Sequence, residues 1–125
     1  MLGERLAVCQ LPPRSRVPEW ATGAGFFCVT QTADELSLVC EERGVPAGIR
    51  VEKDWVALKL EGPFPFSMTG VLSSFLQPLA AAGIPIFAIA TFDTDYVLMK
   101  RDKLEQAIEA LGAAGHERVG SDLTP

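Results

Sequence analysis

The stretch from Trp55 to Lys100, WVALKLEGPFPFSMTGVLSSFLQPLAAAGIPIFAIATFDTDYVLMK, narrows the possible folds more than any other part of the chain. Val56, Leu58 and Leu60 alternate with Ala57, Lys59 and Glu61, the period-two pattern of a strand with one wet face. Gly62-Pro63-Phe64-Pro65-Phe66 cannot continue a central strand, because proline donates no ladder hydrogen bond. Ser67 and Thr69 are good helix N-caps. Val71, Leu72, Phe75, Leu76 and Leu79 then recur at helical spacing, and Gly83 supplies a stop. Pro78 falls inside that helix, where it removes a hydrogen bond, and nothing in the sequence explains it. Residues 84–90 are almost wholly apolar, as expected for a strand in the middle of a sheet. Thr91-Phe92-Asp93-Thr94-Asp95 is turn chemistry, since Thr and Asp side chains bond their own backbone. Tyr96-Val97-Leu98-Met99 is the return strand.

A second helix is expected over 101–114. Asp102 would cap it, Leu104, Ala107, Ile108 and Leu111 form its apolar stripe, and Gly112 or Gly115 ends it. The order β-α-β-β-α is five sixths of a ferredoxin-like β-α-β-β-α-β unit, so the fold class is α+β. The string GPFPFSMTGVLSSFLQPLAAAGIPIFAIATFDTDYVLMK resembles the ACT domain as it occurs in small bacterial tandem-ACT proteins. It is also similar to the ACT domains of animal cytosolic arginine sensors.

The first half repeats the second in reduced form. LAVCQL, FFCVT and LSLVC are strand candidates, and Pro18-Glu19-Trp20-Ala21 is one helical turn. Slid by sixty positions, FCVTQTADELSLVCEE lies on FAIATFDTDYVLMKRD. Leu6 to Pro12 lies on Ala57 to Pro63 at a smaller offset, so the first copy has lost residues where its long helix should be. The expected layout is a tandem: a reduced N-terminal unit over 1–54, a full unit over 55–119, and a frayed tail over 120–125. Ile49 to Glu52 is a short strand between them, and Glu117 to Val119 can close the sheet.

Composition bounds the function. The net charge is −5, and the basic residues are scattered. Nucleic acid and anionic membrane surfaces are therefore poor partners, because clustered Lys and Arg dominate such binding. No apolar run approaches the roughly 20 residues of a membrane span, and MLGERLAVCQ has no signal-type apolar segment, so a cytoplasmic setting is expected. Cys9, Cys28 and Cys40 are odd in number and far apart, which suits three buried small side chains rather than a disulfide framework or a metal site. The single histidine, His116, follows a helix end and reads as a solvated residue near the negative pole. No cofactor is expected, since no phosphate-binding glycine string is present. No catalytic residue is assigned; an enzyme using Asp93 and Asp95 would need environments that split their pKa values.

Binding is the better prospect. Ser67-Met68-Thr69-Gly70-Val71 places unpaired backbone N–H groups at a helix start, where an anion is favoured. Thr91, Phe92, Asp93 and Asp95 offer hydroxyl, aromatic and negative groups suited to an ammonium or guanidinium. The same residues are equally readable as a cap and a turn. The ACT resemblance implies an amino-acid effector held by these two segments, a regulatory role and pairing into a homodimer. It carries over onto Ser67 to Val71 in the loop and onto Thr91, Phe92 and Asp95 in the turn. A ligand-free assembly module is the rival.

Overall fold

The structure is a computed structural model that describes residues 4–23, 25–60, 71–119 and 122–124. The chain forms two compact units, one over Gly3–Trp55 and the other from Val56 onward. The first contains β1 (Leu6–Leu11), β2 (Cys28–Gln31), β3 (Leu36–Glu41) and the opening half of β4 (Arg50–Leu60), in the order β2-β3-β1-β4. Its core is Ala7, Cys9, Ala21, Leu36, Leu38 and Cys40. The two helices of a ferredoxin-like unit are each reduced here to a single 3-10 turn, at Glu19–Ala21 and Glu42–Gly44.

β4 corrects one expectation. The short strand at 49–52 and the strand at 56–60 are one strand of eleven residues. A bulge joins them: Leu6 faces Trp55, yet Val8 faces Glu52. Asp54 takes the extra position with φ 69°, the left-handed region that only short polar side chains and glycine tolerate readily. Its displaced N–H donates to the Glu42 carboxylate at 2.6 Å, so the bulge leaves no orphaned donor there. Inward-facing positions accordingly change parity, from Ile49 and Val51 against the first core to Val56, Leu58 and Leu60 in the second.

The second unit contains the closing half of β4, then α1 (Val71–Ala81), β5 (Phe87–Ala90), β6 (Asp95–Lys100), α2 (Leu104–Ala113), β7 (Glu117–Val119) and β8 (Asp122–Thr124). β6 lies between β4 and β5. β5 is thus outermost in that order, not central, and its residues alternate between half-buried and exposed. The apolar run misled because Ile84 belongs to the helix end: it is 4% exposed and packs in the core with Leu79. The segment expected as a tail contributes β8, which runs parallel to β4 with Lys59 opposite Asp122. The expected closing strand β7 pairs with β8 instead.

Both helices end in the same way. Gly83 (φ 72°) and Gly115 (φ 95°) follow α1 and α2 in left-handed geometry. Ile84 N–H then reaches back to the Leu79 carbonyl and His116 N–H to the Leu111 carbonyl, each at 3.0 Å, as in a Schellman motif. Asp102 does not cap α2. It lies in a 3-10 turn at Arg101–Lys103, and no side chain caps the helix that follows.

His116 is not a solvated cap residue, and its position explains Pro78. Proline lacks an N–H, so the carbonyl four residues earlier, at Ser74, receives no helical donor from position 78. His116 Nε2 lies 2.8 Å from that oxygen. A carbonyl only accepts, so the Nε2 hydrogen must be present. The imidazole also stacks on Phe75, with centroids 4.0 Å apart and planes at 24°. Phe75 is fully buried among Val56, Leu58, Leu79, Val97 and Met99. A residue past the end of α2 thereby closes a gap in α1.

Candidate functional site

The acidic hairpin between β5 and β6 is built by one threonine. Thr91 N–H donates to the Thr94 carbonyl at 2.8 Å, and Thr91 Oγ1 donates to the same oxygen at 2.9 Å. Thr94 N–H returns a bond to Thr91 Oγ1 at 3.2 Å. Ala90 and Asp95 close the ladder below the turn.

The first unit contains the same hairpin. Thr32 N–H and Oγ1 both address the Glu35 carbonyl, at 3.0 and 3.4 Å, while Asp34 and Glu35 N–H return to Thr32 Oγ1. The matching positions are Cys28 with Phe87, Thr32 with Thr91, Leu38 with Val97 and Glu42 with Arg101, an offset of fifty-nine. The sixty-residue offset suggested by matching letters is one step out. In a strand that error exchanges the two faces.

The corrected offset separates what the turn needs from what it does not. Asp93 matches Asp34, but Phe92 matches Ala33 and Asp95 matches Leu36. The sister turn therefore forms with neither an aromatic ring nor a carboxylate at those places. Phe92 is 79% exposed, and the sister turn forms with no ring at that place. Asp93 is exposed and Asp95 half-buried, and neither carboxylate makes a hydrogen bond or ion pair among the described residues. Thr91, Phe92, Asp93 and Asp95 thus share one tip. Ser67, Met68, Thr69 and Gly70 lie outside the described residues. Val71 opens α1, whose first turn holds no acidic residue to neutralise its N–H groups.

Of the three cysteines, Cys9 and Cys40 are buried as expected and Cys28 is half-buried. Burial pushes the Cys9 thiol up to about 12, with the neighbouring Cys40 adding to the shift, and burial raises Cys40 as well. Such thiols are poor nucleophiles. Among the described residues no group of three or more His, Cys, Asp or Glu side chains is placed to hold a metal ion.

The strand order 2-3-1-4 occurs once in each unit of a single eight-stranded sheet, one unit with helices and an acidic aromatic tip and the other stripped to 3-10 turns, which defines a duplicated α+β protein of the ferredoxin-like class. The chain belongs to the ACT-domain family, whose model matches residues 50–113. A second family model, of an N-terminal domain, matches residues 4–48. The human protein CASTOR3P is 30% identical over 95 residues, which is 65% of this chain and 58% of that protein. The cytosolic arginine sensor for mTORC1 subunit 1 of Bos taurus is 27% identical over 128 residues, covering 92% of this chain and 37% of that one. The chain therefore spans under two thirds of either relative. The crystal structure of protein Atu0741 from Agobacterium tumefaciens matches 98% of this chain and 88% of its own, at 38% identity and a TM-score of 0.86.

Proposed function

We propose that this chain is a non-catalytic regulatory protein of the cytoplasm that senses a free amino acid. The ligand sits between the helix opening at Ser67–Val71 and the tip formed by Thr91, Phe92, Asp93 and Asp95. The carboxylate faces backbone N–H groups at the helix start, and the ammonium or a cationic side chain faces Asp93 and Asp95. Phe92 supplies an apolar or cation–π wall. One observation carries this reading: Phe92 and Asp95 stand where an otherwise equal turn has Ala33 and Leu36. The ACT family and the arginine-sensor relative support the ligand class. Pairing of two copies belongs to the same proposal, with the outermost strand β5 as the edge through which they meet.

The test is a thermal-shift panel of the twenty amino acids on the whole chain and on its Asp95→Asn and Phe92→Ala variants. A ligand specific to the native state stabilises it by about 2.7 kcal/mol at a hundredfold excess over its Kd. The expected result is a shift with one amino acid or a small group, lost in both variants. Silence across the panel at about 10 mM, a regime of very weak binding, favours the assembly reading. A shift that survives both substitutions removes the tip from the site.

A further inference from the structure

The outer face of the first unit carries a polar row that the hairpin site does not use. In the ladder Ser37 lies opposite Gln10, and Gln10 lies opposite Arg50. Direct partners on antiparallel strands project to one side, so these three side chains share a face across β3, β1 and β4. It is the face away from the core residues Cys9, Leu36 and Leu38, which alternate with them. Neighbouring strands are about 4.8 Å apart, so the row spans about 10 Å, the size of one small molecule.

A hollow of about 250 Å³ opens over this row, lined by Gln10, Ser37 and Arg50 with Glu35 and Glu52 beside them. An adjoining hollow of about 410 Å³ shares Gln10 and Arg50 and extends to Asp34. The side chains of Gln10, Ser37, Arg50 and Glu35 make no hydrogen bond or ion pair among the described residues. Arg5 and Arg43, by contrast, are engaged by Asp54, Glu4 and Glu41. The donors over the hollow are therefore unspent.

We infer that this hollow is a second ligand site, independent of the hairpin tip, and that it takes an α-amino acid with a basic side chain. The ligand carboxylate meets the Arg50 guanidinium, the Gln10 amide and the Ser37 hydroxyl, all of which donate. The α-ammonium meets Glu35, and the basic side chain runs toward Asp34. Charge sets the preference. Three carboxylates surround one guanidinium, so a plain anion is repelled, a neutral zwitterion is tolerated and a ligand of net positive charge is drawn in.

The experiment titrates L-lysine into the uniformly ¹⁵N-labelled full chain and follows backbone amides by NMR. Saturable shifts at Gln10, Ser37 and Arg50 are expected, with a Kd of about 1 mM or tighter. Arg50→Ala should weaken them at least about tenfold, the effect of removing a charge-assisted contact. Arg50 is exposed, so that variant folds, and its spectrum verifies this directly. Nα-acetyl-lysine, which lacks the ammonium, should bind more weakly than lysine, as should lysine to Glu35→Gln. Asp95→Asn should leave these shifts unchanged, which separates this site from the hairpin tip whether or not the tip binds anything. No saturable shift at the three amides, an unchanged Kd in Arg50→Ala, or an equal response to acetate would each overturn the inference.

Discussion

The contact between His116 and Ser74 is testable by a double-mutant cycle with Pro78. His116→Ala removes a hydrogen bond of 2.8 Å to the Ser74 carbonyl and the stacking of an imidazole on Phe75. The hydrogen bond is worth about 0.5–1.5 kcal/mol, toward the lower end because Ser74 is exposed and its carbonyl can find water. The stack adds about 0.5–1.5 kcal/mol. The expected total is about 2 kcal/mol. Pro78→Ala restores the N–H that α1 lacks, and Ser74 then has a helical donor whether or not the histidine is present. In that background His116→Ala should cost only the stacking part. The coupling energy is therefore the hydrogen-bond part, about 0.5–1 kcal/mol: Pro78→Ala lessens the cost of His116→Ala, and it is itself more favourable once the histidine is gone. Urea unfolding of the four proteins, followed by far-ultraviolet circular dichroism, measures it. Additivity within about 0.3 kcal/mol would refute the idea that the histidine stands in for the missing helical donor.

Two more outcomes follow from backbone and burial. Gly112 and Gly115 lie three residues apart at the end of α2, and an added Cβ would meet nothing within 4 Å at either. Gly112→Ala should stabilise by about 0.5–1 kcal/mol through helix propensity, whereas Gly115→Ala, at φ 95°, should destabilise by about 1–2 kcal/mol; unfolding midpoints that move the same way would contradict this. For the cysteines, iodoacetamide with peptide mapping at pH 8 should modify Cys28 well before Cys9 or Cys40. Because the Cys9 thiol is raised from 9.0 to about 12, its native proton favours the folded state below pH 9, and that stabilisation is lost as pH climbs from 9 toward 12.

The elements that follow from periodicity were readable in the letters. Leu72, Phe75, Leu76 and Leu79 fix α1, and Thr91 to Asp95 fix a turn, because both patterns act over a few residues. The exceptions involve partners distant in sequence or a conformation that composition does not reveal. Asp54 adopts a left-handed φ that no glycine advertises, so the bulge looked like a break between two strands. Ile84 is apolar because it seals a helix end, which made the following strand look central. Pro78 and His116 have meaning only as a pair, forty-two positions from Ser74 to His116. Of the candidate site, Thr91, Phe92, Asp93 and Asp95 share one turn because they fall within five consecutive residues, which spacing alone makes legible. The polar row over Gln10, Ser37 and Arg50 was not foreseen, since only the ladder register brings it together.

The two threonine-built hairpins have an engineering consequence. Since Thr91 supplies the side-chain bonds of its turn among the described residues, position 92 can be recoded with little disturbance of that turn, as exposed Ala33 demonstrates at the counterpart tip. Position 95 is tied to the fold more closely, because it is half-buried and its counterpart Leu36 is a core residue. A library varied at codon 92 would search ligand preference while holding foldability nearly constant, and Ala33→Phe would transplant the ring from one half of the chain to the other.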